Sequence, residues 1–189
     1  MKKRILLLTD FSKNSWNAIE YAIRLYKTQS CDFYILNTYA KDSYGLDAYV
    51  LLDPDDTFGR LSENHSKQEL GNILVRLSED HYNENHRFHM ISRSELFLDA
   101  VKNVMDGLDI DIVIMGAKGT TNESPAKYGK NTLKIIQNIR NRPVLVVPEN
   151  AVLDLPKEIV LATNFNTEFD VSEINYLVEI AKINNARIQ

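Results

Sequence analysis

The sequence predicts an α/β protein with a doubly wound, five-stranded parallel sheet, helices on both faces, and an extra C-terminal βα unit. Short apolar runs rich in branched residues alternate with longer segments of helical period, which is typical of parallel strands joined by crossover helices. The 189-residue chain, with 44% apolar and 25% charged residues, suffices for one domain of roughly 150 residues and leaves a remainder. Because crossovers are right-handed, ligand sites are expected outside the carboxyl ends of the strands.

Five short apolar runs are predicted to form the sheet. In chain order they cover residues 4–9, 33–38, 87–91, 110–115 and Val144–Val147. The last run is apolar on both faces and lies between Pro143 and Pro148, which suits an edge strand whose ends should not extend.

Apolar residues at helical spacing predict four helices between these strands. Ser12 or Asn14 would cap the first helix, and Trp16 near its start would pack against the sheet edge. The other three helices are expected over about 62–82, 94–107 and 131–141. The expected inward residues are, helix by helix, Ile19, Ala22, Ile23 and Tyr26; Leu70, Ile73, Leu74 and Leu77; Phe97, Val101, Val104 and Met105; Leu133, Ile136 and Ile139.

The C-terminal segment begins to repeat the start of the chain. Residues 5–12 match residues 159–166 at a shift of 154, and the apolar positions of the first helix recur after one inserted residue. This internal duplication predicts a domain over 1–148, a linker over 149–156 and a partial second repeat over 157–189. The repeat is too short to bury its own core, so it packs on the first domain, pairs with another chain or lacks the rest of its domain. Asn164 replaces Asp10 in the repeat, and a pairing role is expected for this segment.

Composition and charge narrow the classes of partner. The net charge of -4 and the lack of a Lys/Arg run argue against nucleic acid. The apolar run after Arg4 spans four residues, too few for an export signal, and no membrane partner is expected. A single cysteine, Cys31, excludes an intrachain disulfide and agrees with a reducing compartment, so we expect a cytoplasmic protein.

The stretch after the fourth strand carries the most informative chemical pattern. Gly116-Ala117-Lys118-Gly119 is followed by nine residues and then by Gly129-Lys130-Asn131-Thr132 at the start of a helix. Glycines let backbone amides approach an anion closely, and the first turn of a helix offers unpaired N–H groups and the positive end of its dipole. These features predict a phosphate ligand.

This pattern resembles the universal stress protein family, whose ATP-binding members have Gly-x-x-Gly, nine residues, Gly, and then Ser or Thr. Asp10 matches the family's Asp at the end of the first strand. The resemblance covers residues 1 to about 148 and implies ATP or AMP as ligand, with Mg²⁺ accompanying ATP. It also implies that Thr9 and Asp10 lie near the ribose, and the backbone around Thr38 near the base. The implied site residues are Thr9, Asp10, Thr38, Met115, Gly116, Gly119, Gly129, Lys130, Asn131 and Thr132.

Lys130 departs from the family pattern, which has a small hydroxyl residue at this position. A lysine neutralises phosphate charge, but its bulk can also close the pocket. Without an anion, a cation in the first turn opposes the helix dipole by roughly 0.3–1 kcal/mol, which a bound phosphate would more than offset. Asn131 and Thr132 are candidates for the missing side-chain contact. A nucleotide site and a turn merely shaped by glycines both remain open at this point.

Other chemistries lack their required patterns. A P-loop needs Gly at position 124 and Ser or Thr at position 131, where Ser124 and Asn131 stand. His86 and His89 would point to opposite faces of a strand, and with His81 they lack a supporting cysteine for a metal site. The acids Asp53, Asp55 and Asp56 lack the Gly and distal Glu of a calcium loop. No nucleophile elbow and no other catalytic constellation is present.

Two functions follow from these observations. The first is a stress-response, nucleotide-binding regulatory module that acts as a dimer and hydrolyses ATP slowly at most. The alternative is a scaffold of the same fold that acts through its dimer surface and the segment 40–61, which is expected to be a lid or a short extra helix. Because the family pairs its last strand across a two-fold axis, the resemblance implies a homodimer through Val144–Val147. An adenylating enzyme is less favoured, since its usual loop is absent after the first strand.

Overall fold

Within the parts of the chain that the computed structural model describes, seven strands and five helices follow one another. These parts are residues 2–39, 57–119, 127–151, 154–163 and 171–189. The strands are β1 (Lys3–Leu8), β2 (Cys31–Thr38), β3 (His86–Arg93), β4 (Ile112–Gly116), β5 (Val144–Val147), β6 (Glu158–Ile159) and β7 (Arg187–Ile188). The helices are α1 (Lys13–Leu25), α2 (Thr57–Asp80), α3 (Phe97–Leu108), α4 (Lys130–Asn138) and α5 (Val171–Asn184).

Strands β1 to β5 form one parallel sheet in the order β3-β2-β1-β4-β5, which confirms the predicted fold class. At its centre, Ile5 of β1 lies opposite Phe33 of β2 on one side and Ile112 of β4 on the other. The chain builds β2 and β3 on one side of β1 and then crosses to place β4 and β5 on the other. The direction of winding therefore reverses between β1 and β4, and ligands bind at the carboxyl end of such a switch point.

Alternate residues of the central strand bury two separate apolar layers. Ile5 and Leu7 belong to the layer that α1 and α2 cover. Leu6 and Leu8 belong to the layer that α3 and α4 cover. Burial on both faces explains why β1 appears in the sequence as a continuous apolar run rather than an alternating one.

The predicted inward face of α4 is wrong at two positions. Leu133 and Ile136 are 41% and 38% exposed, whereas Thr132 and Ile135 are buried. The Thr132 hydroxyl donates to two backbone carbonyls at the end of β4 and the residue after it, and so sets the rotation of the helix. Ile139, just after the helix, is buried as predicted.

Helix α2 begins earlier than predicted, at Thr57, and its inward face is narrower. Leu70 and Leu77 are buried, but Leu74 is 39% exposed, contrary to prediction. Ile73 packs against the core, and Leu74 lies about 100° further round the helix, beyond the packed strip.

Some strand limits also differ from prediction. β2 begins at Cys31, so this buried thiol is the first residue of the strand rather than a residue before it. β3 extends further at its carboxyl end, to Arg93, and pairs with β2 over its whole length. β4 begins at Ile112 and includes Gly116, which pairs with Val147 of β5.

The C-terminal unit repeats the arrangement of the first strand, helix and strand. β6 pairs in parallel with β7, and Glu158 lies opposite Arg187. This register matches that of β1 and β2, in which Arg4 lies opposite Asp32. Glu158 lies 154 residues after Arg4, and Arg187 lies 155 residues after Asp32.

Helix α5 of this unit packs on the larger sheet domain. Ile180 and Ile183 contact the core layer beneath α1, and Ala181 is buried. The Lys3 ammonium donates to both carboxylate oxygens of Glu179, at 2.7 and 2.5 Å. The described part of the repeat thus packs on the first domain, which is one of the arrangements that the sequence left open.

None of the helices in the described ranges is both long enough and apolar enough to cross a membrane.

Candidate functional site

A cavity of about 370 Å³ opens at the switch point between β1 and β4. All ten site residues implied by the sequence lie along it: Thr9, Asp10, Thr38, Met115, Gly116, Gly119, Gly129, Lys130, Asn131 and Thr132. Seven further residues complete its described lining: Leu8, Ser15, Leu36, Asn37, Phe97, Lys118 and Lys134. The structure thus brings together segments that lie far apart in the sequence.

The turn between β1 and α1 holds Asp10 in a fixed orientation. Its Oδ1 atom accepts hydrogen bonds from the Ser12 amide at 3.1 Å and the Ser12 hydroxyl at 2.6 Å. Ser12 also caps α1, since its side chain accepts from the Ser15 amide at 3.1 Å. Phe11 adopts a left-handed conformation with φ of 64°, which is uncommon for a residue other than glycine. The helix cap and the cavity wall are therefore parts of one hydrogen-bonded turn.

Gly116 and Gly119 allow the start of α1 and its preceding turn to approach the loop after β4. A Cβ atom on Gly116 would lie 2.9 Å from Asn14 Nδ2. A Cβ atom on Gly119 would overlap Asp10 Oδ2. Asn14 Nδ2 donates to the Lys118 carbonyl at 2.7 Å and ties the two segments together. Both glycines are thus needed for the close approach of neighbouring chain segments, independently of any ligand.

Thr132 holds α4 onto the end of β4. Its hydroxyl donates to the carbonyls of Gly116 at 3.2 Å and Ala117 at 3.1 Å, and the residue is 2% exposed. The Gly129 amide donates to the same Ala117 carbonyl at 2.8 Å. The Thr132 proton is therefore already used within the protein, which sets this side chain apart from the exposed Lys130 at the same helix start.

The first turn of α4 presents amide donors at the cavity. The first helical hydrogen bond runs from the Leu133 amide to the Gly129 carbonyl. The N–H groups of Lys130, Asn131 and Thr132 come before that bond and therefore have no partner within the helix. All three residues line the cavity. Gly129, the N-cap, has no side chain to accept from them. Such a helix start attracts anions.

The described lining carries more positive than negative charge. It contains three lysines, Lys118, Lys130 and Lys134, and one carboxylate, Asp10. Lys130 and Lys134 are separated by about one turn of α4 and share one face of the helix.

Other lining residues are apolar. Leu8, Leu36 and Met115 are buried at the ends of their strands, and the half-buried Phe97 adds an aromatic ring from the start of α3. Asn37 donates from Nδ2 to the Thr9 carbonyl at 2.9 Å and joins the ends of β2 and β1. The lining thus combines buried apolar side chains with exposed, cationic ones.

Several lining residues were not predicted from the sequence, although their positions beside predicted site residues could have identified them. Asn37 precedes Thr38 at the end of a predicted strand, and Lys134 follows Lys130 at i+4 on a predicted helix. Lys118 lies within the glycine motif itself. Phe97 was expected to face the core, and it does pack there, but it also lines the cavity.

Other candidate groups lie away from this cavity or outside the described residues. His86 is buried, and its Nε2 atom lies 3.1 Å from the Tyr26 carbonyl, whereas His89 is exposed on the same strand. Burial raises the pKa of the Cys31 thiol to about 12, so it is protonated at neutral pH. Residues 40–56, with the three acids after Val50, and Ser124 lie outside the described residues.

The fold is similar to that of several solved structures. The hypothetical protein MJ0577 has a TM-score of 0.59 at 22% identity, covering 79% of this chain and 98% of its own. The universal stress protein from Archaeoglobus fulgidus has a TM-score of 0.52 at 12% identity, covering 77% and 98%. The hypothetical protein PH0823 has a TM-score of 0.51 at 15% identity, covering 79% and 98%. At these identities the likeness shows the fold.

No curated protein matches the sequence significantly. The sequence model of the universal stress protein family, in contrast, matches residues 1–148. This is the span over which the five-stranded sheet and the cavity are built. The chain therefore belongs to the universal stress protein family.

Proposed function

We propose that this chain is a regulatory module that binds ATP or AMP in the cavity between β1 and β4. The polarity gradient of the cavity lining carries the proposal: buried apolar side chains and the half-buried Phe97 ring line the same cavity as exposed lysines and helix amides. A nucleotide has the same gradient, from a flat base through a hydroxylated sugar to anionic phosphate. Ligand cavities of this kind combine a largely apolar lining with a few placed polar groups.

Each part of the ligand has a matching group in the proposed complex. The phosphates would lie at Gly116, Gly119 and the start of α4, because amide donors and the positive end of the helix dipole favour anions there. The Asp10 carboxylate would accept from a ribose hydroxyl. Lys130 would neutralise phosphate charge rather than close the cavity, since this lining residue is exposed.

Calorimetric titration with ATP and AMP tests this proposal. We expect the wild type to bind and Asp10→Ala to bind markedly less well. Lys130→Ser should bind roughly tenfold more weakly, because it removes a charge-assisted contact at a partly screened position. Lys102→Ser, an exposed lysine on α3, is the control for the change in net charge.

Two other results would change the proposal. Binding by Lys130→Ser but not by the wild type would show that the lysine blocks the cavity. Lack of binding by both proteins would favour a scaffold of the same fold that acts through its surface. We propose that the chain hydrolyses ATP slowly at most.

We also propose that the chain forms a homodimer in the cytoplasm through the edge strand β5. β5 pairs with β4 and ends the described sheet, so its other edge is available for a second chain. Light scattering at micromolar concentration should give the mass of two chains. A mass of one chain would contradict this proposal.

A further inference from the structure

The exposed face of α4 beside the cavity carries two cations. Lys130 and Lys134 both line the cavity, and both side chains are exposed. Within the described part of the chain, neither ammonium lies within ion-pair distance of a carboxylate. Two positive charges are therefore available to a ligand about 6 Å apart along the helix axis.

Acidic ligands for a divalent cation are scarce at this site. Asp10 is the one carboxylate in the described lining, and Ser12 already donates two hydrogen bonds to its Oδ1 atom. Across the described ranges, no three His, Cys, Asp or Glu side chains are grouped as a metal site. Mg²⁺ is usually held through one or two carboxylates together with substrate phosphates. The described lining has three lysines against this single carboxylate. The donor set therefore favours neutralisation of phosphate by lysine.

We infer that the cavity selects nucleotides with two or more phosphates and binds them without a divalent metal, Lys130 meeting the first phosphate and Lys134 a later one. This inference rests on the proposed nucleotide-binding function. AMP has one phosphate, which can be reached from the first turn of α4. ADP and ATP extend further, toward the lysine one turn along the helix. Each added phosphate brings about one further negative charge, which a second cation can neutralise.

Binding of AMP, ADP and ATP in buffer with EDTA, and again with Mg²⁺, tests this inference. We expect the wild type to bind ATP and ADP more tightly than AMP in EDTA. Lys134→Met should weaken ATP binding by about fivefold and AMP binding by less than about twofold, because only the longer ligand reaches this ammonium. Lys102→Met, which removes an exposed charge on α3, should change neither affinity.

Three results would overturn the inference while leaving the proposed function standing. They are ATP binding that requires Mg²⁺, equal affinity of the wild type for AMP and ATP, and an equal loss for both ligands in Lys134→Met. If no nucleotide binds under any condition, the proposed function itself fails and this inference fails with it. Circular dichroism of each variant separates a loss of binding from a loss of fold.

Discussion

The Thr132 hydroxyl should contribute to stability rather than to ligand binding, and Thr132→Val tests this. The substitution keeps the volume of the side chain but removes the donor to the Gly116 and Ala117 carbonyls. The Ala117 carbonyl retains the Gly129 amide as a partner, so the cost falls mainly on the Gly116 carbonyl. Loss of one buried hydrogen bond with a poorly satisfied acceptor costs about 1–2 kcal/mol. For a chain of this size, that corresponds to a decrease in Tm of about 2–8 °C.

Urea and thermal unfolding followed by circular dichroism measure the effect of this substitution. Thr132→Ser is the matched control, because it keeps the hydroxyl and should retain most of the stability. The reasoning would be refuted if Thr132→Val unfolded like the wild type while its affinity for nucleotide fell. That result would mean that the hydroxyl serves the ligand, as the sequence had led us to expect.

Three further outcomes are expected. Burial lowers the pKa of His86, opposed by its hydrogen bonds to backbone carbonyls. The unfolded chain therefore binds the proton first as the pH falls, and stability should decrease from about pH 6.5 down to the folded-state pKa. Urea titrations between about pH 7.5 and 5 should show a flatter dependence of stability on pH in His86→Gln than in the wild type; the wild-type slope in His86→Gln would contradict this. Gly119→Ala should destabilise the protein by about 0.5–1.5 kcal/mol, because the new methyl group displaces the Asp10 carboxylate from its rotamer. Combined with Asp10→Ala it should cost less than the sum of the single changes in urea unfolding, and additivity would refute the contact. A thiol reagent should modify the buried Cys31 slowly in the native protein and rapidly in denaturant, and fast native labelling would disprove its burial.

The strands were predictable because burial on both faces leaves a continuous apolar run that local sequence displays. Ile5, Leu6 and Leu7 are all almost fully buried, and their run marked the central strand correctly. The helix faces were less predictable where the tertiary anchor is polar. Nothing in the apolar pattern of α4 indicates that Thr132 rather than Leu133 turns inward, since this depends on carbonyls of a strand that precedes it.

The candidate site divides in a similar way. The glycine spacing and Asp10 could be identified from the sequence, because close backbone approach and a carboxylate at a strand end are local features. Their mutual contact could not, since Gly119 meets Asp10 only after β4 has paired with β1. The same holds for Phe97, which belongs to a helix that local patterning assigns to the core alone.

The sequence by itself determined the α/β class, the parallel strands and the glycine loop, because each depends on residues close together along the chain. It also determined the repeat at the C-terminus, because a repeat is a match between two stretches of sequence. Only the tertiary structure decided the strand order, the rotation of α4 and the presence of lysines and buried apolar side chains in the lining of one cavity. These depend on contacts between distant segments. Such contacts are selected by the packing of the whole core, which local periodicity does not record.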